Sequence, residues 1–339
     1  MKRAVVLIPS YEPDDLLVNT VQGLVDEGFP VLVVNDGSGP EFEHVFDQVK
    51  PMVKYLAFVK NKGKGAAMKY GYKHLLELYP DAEFVITADG DGQHALKDII
   101  RVYDKMCETN QLVFGVRSFG KEVPFRSRFG NDFSKTTRSL LTKTYIQDDQ
   151  CGLRGFPVRY LDQLIKIKGN RYEYEMNQIV SFQMMQCPLY TIPIETIYLD
   201  SNSRSHFSPF KDTFRIQTII FTHSIGAIIC NALLMAMMII GLNHHVMPTI
   251  GVIYISYTLC FLLYFLIINI FYPTQTFFRR LFKELLFTAI KMGSCHGFLF
   301  LMFDLAHVPA GVCVPIGVLL CAFLNVLFSW LFRKMFPSF

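Results

Sequence analysis

The sequence predicts an α/β domain with a mostly parallel sheet, followed by a four-helix membrane domain. Three observations carry this. Short apolar runs alternate with helical patterns over the first 210 residues or so. Several of those runs end in Asp, Asn or Gly. Beyond about residue 215, four long apolar stretches follow, at roughly 216–241, 246–271, 285–303 and 309–332. Each is near the ~20 residues a helix needs to cross a bilayer.

Ala4-Val-Val-Leu-Ile8 is a continuous apolar run, as expected of a strand buried on both faces. Pro9-Ser-Tyr-Glu-Pro13 stops it. Leu16, Leu17, Thr20, Val21, Leu24 and Val25 then recur at helical spacing. Val31-Leu-Val-Val34 is a second strand, ending in Asn35-Asp-Gly-Ser38. A short helix and a strand over Tyr55–Val59 follow. Asn61-Lys-Gly-Lys-Gly65 opens a helix from Ala66 to about Leu78. Phe84–Ala88 is the next strand and ends in Asp89-Gly-Asp-Gly92. A further helix leads to Leu112-Val-Phe-Gly115.

In such sheets ligands bind at the carboxyl ends of strands, so Asp36, Asn61, Asp89 and Asp91 are expected to converge on one crevice. Two carboxylates one residue apart are costly unless a cation lies between them. Mg²⁺ or Mn²⁺ takes carboxylate oxygens and shares its other positions with phosphates. A tight Asp/Gly turn with solvated carboxylates accounts for the motif alone equally well. Asp36 has a ribose hydroxyl or base as a candidate partner, or is a plain turn residue. Lys62 and Lys64, beside glycines at a helix start, suit a diphosphate. The Walker pattern does not fit here, and no G-x-G-x-x-G follows the first strand, which disfavours a dinucleotide-binding fold.

Composition narrows the class. The 339 residues are 51% hydrophobic with a mean hydropathy of +0.28, and the excess lies in the C-terminal stretches. A net charge of +4 makes no case for nucleic acid. The eight cysteines form no C-x-x-C pair, which fits a reduced compartment without zinc. Met1-Lys-Arg leads straight into a strand too short for a signal core, which predicts a cytosolic start. Arg279, Arg280 and Lys283 separate the second and third spans, and Arg333 and Lys334 follow the fourth. The other two connections carry no Lys or Arg. The positive-inside rule then puts both termini and the α/β domain on the cytoplasmic face of the inner (cytoplasmic) membrane.

Ile8-Pro-Ser-Tyr11, Asn35-Asp-Gly-Ser38, Asn61-x-Gly-Lys-Gly-x-Ala67 and Asp89-x-Asp-x-Gln-His94 together resemble family 2 glycosyltransferases of GT-A fold (Rossmann-like). More narrowly they resemble the polyprenyl-phosphate glycosyltransferases, including dolichyl-phosphate mannose synthases and bacterial GtrB-type enzymes. Gly115-x-Arg117, Arg126-x-Arg-x-x-Gly-Asn131, Asp148-x-Gln-Cys-Gly-Leu-Arg-Gly-Phe156, Tyr172-Glu-Tyr-Glu175 and Ser203-Arg-Ser-His-Phe207 extend the match. It covers essentially the first 215 residues. The family's second strand ends in Asp-Asp-Gly-Ser; here Asn35 takes the first position.

The resemblance implies a nucleotide-diphosphate-sugar donor, a polyprenyl phosphate acceptor and a Mg²⁺ or Mn²⁺ cofactor. It assigns Pro9, Tyr11, Glu12, Asp36, Asn61, Lys64, Asp89 and Gly90 to the donor. Asp89, Asp91 and Gln93 fall to the metal, with Asp91 and Asp148 as the catalytic carboxylates. The acceptor phosphate is already largely anionic at neutral pH, so cations matter more than a strong base. Arg117, Arg126, Arg128, Ser134 and Arg204 are the candidates to hold it. Asp148 is either a base or acceptor-orienting carboxylate, or an arginine's partner. Glu173 and Glu175 suit a helix cap. Amphipathic segments at 132–145 and 204–215 are expected at the membrane surface, with ordinary helix packing as the alternative.

The expected domains are 1–212, the glycosyltransferase, and 213–339, four spans similar to GtrA-like domains. The latter likeness rests on Asn325-x-x-x-Ser-x-x-Phe-Arg-Lys334. Such a domain serves as anchor, homo-oligomer interface or carrier of the lipid-linked sugar. His223, Asn231, Lys291, His296, Asp304 and Asn325 are polar positions within the spans. A UDP-sugar such as UDP-glucose is the favoured donor over GDP-mannose. A processive polysaccharide synthase is disfavoured, because it needs Gln-x-x-Arg-Trp after the catalytic domain and Trp330 is the only tryptophan. A flippase or scaffold with a degenerate nucleotide-binding domain is the non-enzymatic alternative. Retention of Asp36, Asp89, Asp91 and Gln93 argues against it.

Overall fold

In the computed structural model, residues 2–117, 148, 151–195, 209–246, 248–271 and 277–335 are described. The candidates Arg126, Arg128, Ser134 and Arg204 lie outside them, as do segment 132–145 and the start of segment 204–215. The side chains of the rest of that segment, and of His223 and Asn325, lie outside them too. The chain divides into two compact units, residues 1–131, 146–179 and 188–219 making the first and residues 132–145, 180–187 and 220–339 the second.

The first unit is a seven-stranded sheet in the order β3-β2-β1-β4-β6-β5-β7. Its strands are β1 (Ala4–Ser10), β2 (Val31–Asn35), β3 (Lys54–Ala57), β4 (Phe84–Thr87), β5 (Leu112–Arg117), β6 (Arg154–Pro157) and β7 (Leu189–Ile194). Its helices are α1 (Asp15–Asp26), α2 (Glu43–Val49), α3 (Lys64–Leu78), α4 (Leu96–Thr109), α5 (Leu161–Lys166) and most of α6 (Glu173–Met184). β1 pairs in parallel with β2 and β4, β2 with β3, and β5 with β7. β6 runs antiparallel between β4 and β5.

The central strands are the uninterrupted apolar runs. Ala4 through Ile8 and Val31 through Val34 are buried, and so are Phe84, Val85 and Ile86. Each such side chain contributes about 1.5–3 kcal/mol by leaving water. β3, at the edge, is half-buried and ends at Ala57; Val59, expected inside the strand, stands fully exposed. An edge strand has one partner and one buried face, so its pairing stops where that partner turns away. Asp14 caps α1, its Oδ1 accepting from Leu16 N at 2.9 Å. Such a cap is worth about 1 kcal/mol.

Strand β6 was not legible as a strand. Its sequence, Arg-Gly-Phe-Pro, has neither alternation nor a β-branched run. It forms because β4 and β5 leave a slot that only an extended segment fills, and Arg154 is satisfied inside it. Arg154 is 1% exposed and donates to Cys151 O and Gln178 Oε1. Its guanidinium also stacks over Phe114. With β1 leading to β2 on one side and β4 lying on the other, the order reverses at β1. That is the topological switch point where open α/β sheets bind ligands.

The second unit holds most of α7 (Pro209–Asn243), with α8 (Thr249–Phe271), α9 (Phe277–Leu299) continued by a π-helical turn (Phe300–Leu305), and α10 (Ala310–Met335). Among the described residues three helical stretches are long and apolar enough to cross a membrane: Ile225–Asn243, Thr249–Ile270 and Arg280–Leu305. Ala310–Leu324 of α10 is a shorter apolar stretch. Leu262, Leu266, Ile270 and Leu319 point outward, as lipid-facing side chains do. Arg280, expected in a cytosolic loop, lies instead within α9. It is fully buried and donates from Nη1 to Asn269 Oδ1 at 3.1 Å.

Candidate active site

The carboxyl ends of β2 and β4 carry the candidate carboxylates, on either side of β1. Asp36 follows β2 and is 2% exposed. Its Oδ1 accepts from Lys62 N at 2.8 Å, and its Oδ2 accepts from Gly63 N at 2.8 Å and from Asn61 Nδ2 at 3.2 Å. Both oxygens are therefore committed to the loop that opens α3, which differs from the expectation of a carboxylate presented to a nucleoside. Burial raises the Asp36 carboxyl above its usual range, against the pull of those backbone donors. Gly63 has φ +100 and a Cβ there would come within 2.4 Å of Asn170 O. Only glycine gives Asp36 that amide at that position.

Lys64, the first residue of α3, reaches across to β4. Its Nζ lies 2.7 Å from Asp89 Oδ1 and 3.0 Å from Glu175 Oε1 on α6. Burial works against the ammonium, but Asp89 and Glu175 outweigh it and hold Lys64 above its usual range. Burial likewise opposes the Asp89 carboxylate, and Lys64 and His94 outweigh it and hold Asp89 well below its usual range. Asp89 lies beside Gly152, where a Cβ would stand 2.7 Å from Oδ2. Gly152 O also accepts from Thr87 Oγ1 at 2.9 Å, which pins that backbone to the end of β4.

Asp91 stands at the exposed rim of the same turn. Protein packed around its carboxylate, and then the charge of Asp89, push it upward. Its Oδ1 accepts from the backbone N–H of Gln93 at 3.0 Å. The two carboxylates thus differ: Asp89 is compensated by Lys64, and no ion pair compensates Asp91 among the described residues. Hard oxygen donors of this kind suit Mg²⁺ or Mn²⁺. Among the described residues no group of three or more His, Cys, Asp or Glu side chains is arranged to hold a metal. The chain fits such an ion only as a partial shell that a diphosphate and water would complete.

Two residues not assigned to the site from sequence belong here. Glu175 is the second partner of Lys64, not a helix cap. Glu173 does act as a cap, its Oε1 accepting from Asn170 N and Arg171 N. His94, within the Asp-x-Asp-x-Gln-His run, has a buried side chain with Nε2 3.4 Å from Asp89 Oδ2. Neither ring nitrogen makes a hydrogen bond among the described residues.

On the nucleoside side, Pro9 lies within β1 opposite Val34. Glu12 adopts φ +51 and its N–H donates to Ser38 Oγ at 2.9 Å. Tyr11 is raised above its usual range, first by its hydrogen bond with Glu12. Asn35 accepts from Ser38 N at 2.8 Å and donates to Tyr55 Oη at 2.9 Å. The amide at this position closes the turn and ties it to the neighbouring strand.

Arg117 and Asp148 are partners. Arg117 donates from N, Nε and Nη2 to the Asp148 carboxylate at 3.1, 2.7 and 3.0 Å. Burial opposes the guanidinium, and Asp148 more than offsets it, so Arg117 sits above its usual range. Of the two readings of Asp148, the arginine's partner is the one found. Its side chain is fully buried, so proton abstraction by it would require this fork to open.

Residues 5–165 match the family model Glycosyl transferase family 2. The chain is 28% identical over 221 residues to an uncharacterized protein of Methanocaldococcus jannaschii, covering 62% of this chain and 89% of that one. It is 26% identical over 217 residues to the UDP-N-acetylglucosamine–dolichyl-phosphate N-acetylglucosaminyltransferase of Methanococcus voltae, covering 58% of this chain and 86% of that one. Among solved structures, glucosyl-3-phosphoglycerate synthase from Mycobacterium tuberculosis aligns over 65% of this chain and 78% of its own, at 13% identity and a TM-score of 0.49. The first unit has the mostly parallel mixed sheet of the GT-A fold, and among the described residues three apolar helical stretches long enough to cross a membrane follow it.

Proposed function

We propose, for a chain whose residues 5–165 match the family model Glycosyl transferase family 2, that it transfers a hexose from a nucleotide-diphosphate sugar to a polyprenyl phosphate at the membrane surface. The observation that carries this is the link from Asp36 through the Asn61–Lys64 loop to Asp89, across the switch point of the sheet. It brings an anchored helix N-terminus, a lysine and two carboxylates to the place where a sugar diphosphate would lie. Apolar helices downstream supply the membrane that a polyprenyl acceptor requires. The acceptor named for the Methanococcus voltae relative, a dolichyl phosphate, is of the same class.

In this reading the donor's diphosphate lies against Lys64 and the amides that open α3. Asp89 and Asp91 would hold a Mg²⁺ or Mn²⁺ ion, whose chemistry is to neutralise charge on the departing phosphate. Lys64 orients Asp89 and adds its own positive charge nearby. Glu175 keeps Lys64 in place. Gly152 leaves room for Asp89. The Arg117–Asp148 fork holds a cation at the end of β5, where an incoming phosphate monoester would be oriented. That nucleophile is already anionic, so none of these groups has to act as a strong base. The favoured donor is a UDP-sugar, both termini face the cytosol, and α10 completes a fourth span.

The test is incubation of the purified full chain with a panel of UDP- and GDP-sugars, undecaprenyl phosphate and Mg²⁺ or Mn²⁺. Lipid products are detected by mass. The expected product is undecaprenyl phosphate plus one hexose residue. Transfer to water or a soluble sugar alone would overturn the acceptor class.

A further inference from the structure

Polar side chains gather at one end of the C-terminal helices, where the glycosyltransferase reading gives them nothing to do. The end of α7, the start of α8, the π-helical turn and the start of α10 line an open cavity of about 770 Å³. That lies within the roughly 300–1,000 Å³ of small-molecule sites. His245, His296 and His307 line it, with Asn243, Thr249 and Asp304. Phe300 and Phe303 form part of its wall. Thr249 Oγ1 donates to Asp304 Oδ1 at 2.7 Å, which orients the carboxylate. Polar groups among membrane-crossing helices are costly and mark ligand or transport sites.

The backbone bends to build this end. His245 and His307 both hold left-handed φ values, 47° and 53°. Non-glycine residues seldom do so, and such strain gathers at functional sites. The α9 helix starts near Arg280 and Lys283, and Asp304 lies about 21 residues on, or roughly 30 Å along the axis. That is about one hydrocarbon thickness. The cavity therefore opens near the membrane face opposite those cations.

Its chemistry selects an occupant. Among the described residues no Lys or Arg lines the cavity, so a phosphate finds no permanent cation there to grip it. Histidine, asparagine, threonine and aspartate together offer both donors and acceptors, as sugar hydroxyls require. Phenylalanine rings offer flat apolar faces for a sugar's C–H surface. A molecule reaching a pocket at the end of apolar helices is most readily a lipid with its head at the interface.

We propose that this cavity binds the neutral, hydroxyl-rich sugar head of a glycolipid, with the phosphate left at the mouth. This rests on the reading that the chain makes a lipid-linked sugar; the site would take that product's head.

The probe is dodecyl β-glucoside carrying a diazirine on the sugar, photolysed with the full chain in phosphatidylglycerol vesicles, followed by peptide mapping. Labelling is expected on the segment from His296 to His307. Excess dodecyl β-glucoside should compete it away, and dodecyl phosphate should not. His296→Ala and Asp304→Asn should each lower labelling about tenfold, and Thr249→Val, the mildest change, should lower it less. All three should keep wild-type transfer to undecaprenyl phosphate, which shows the chain is folded. Uniform labelling along the apolar helices, competition by dodecyl phosphate, or labelling indifferent to all three substitutions would overturn the site. Transfer with no competed labelling defeats this inference and leaves the enzyme reading standing. Competed labelling without any transfer defeats the enzyme reading and supports the sugar site.

Discussion

Lys64 Nζ lies 2.7 Å from Asp89 Oδ1, so the first residue of one helix neutralises the carboxylate at the end of a strand. The ammonium stands on the oxygen that a divalent ion would want. Lys64→Met should therefore tighten Mn²⁺ binding about tenfold, a change of about 1.4 kcal/mol, while transfer falls by a larger factor. Manganese paramagnetic resonance on the purified chain reads the first and product mass the second. Weaker Mn²⁺ binding in the variant would show that Lys64 supports the metal and does not compete with it.

The same pair sets a pH dependence. Asp89 is held below its usual range in the folded chain, so its ionised form contributes stability above the unfolded carboxylate pKa of about 3.9. That contribution is lost as pH falls through that value toward the lower folded one. Wild type should exceed Lys64→Met in stability at pH 7, by up to about 3 kcal/mol for breaking a largely buried pair. The gap should narrow as pH drops below about 4. Thermal melting of both proteins at pH 7 and pH 4 checks this; a gap that widens in acid would contradict it.

Asp148 and Arg117 form one unit, with three donors on one carboxylate. If Asp148 acts by holding Arg117, Asp148→Asn and Arg117→Lys should weaken transfer to similar extents. The double variant should be hardly worse than either single one, because both remove the same fork. Measured initial rates for the four proteins of the cycle decide. Additive losses would make the carboxylate an independent participant.

Gly152→Ala places a methyl group 2.7 Å from Asp89 Oδ2. The carboxylate has to shift away from Lys64 or the β4 end has to move. Transfer should fall about tenfold or more with the chain still folded, since a displacement under 1 Å at reacting groups is costly. Wild-type turnover in this variant would place Asp89 outside the reaction.

Asp36→Ala removes the acceptor of three bonds from the Asn61–Gly63 loop. The buried Gly63 amide loses its partner, at about 1–3 kcal/mol, and the part-buried Lys62 amide loses one at a smaller cost. The KM for the nucleotide sugar should rise more than kcat falls, because the loop positions Lys64 and does not react. Steady-state kinetics across donor concentration separates the two.

Much of the catalytic half was legible because its strands are buried on both faces. Apolar runs such as Ala4–Ile8 and Phe84–Thr87 need no partner to be recognised, and the turn residues after them are where such sheets bind ligands. Asp36, Asn61, Asp89 and Asp91 are expected together on that ground; Asn61 donates to Asp36, and Lys64 of the same loop pairs with Asp89. Helix α3 starts at Lys64, two residues before Ala66, because Asp36 anchors its first turn from 26 residues away. No local pattern reports such a contact.

What the chain's own order of residues determined is therefore the parallel sheet, the carboxylates at its strand ends and the apolar helices that follow. Each depends on periodicity and on chain neighbours, which are written in sequence. Tertiary structure alone decided the partners. It gave Arg117 to Asp148 and Glu175 to Lys64, threaded β6 between β4 and β5, and gathered three histidines and Asp304 around one cavity. The physical reason is that charge pairing and cavity shape depend on distances between residues far apart in the chain, and only the packed fold sets those distances.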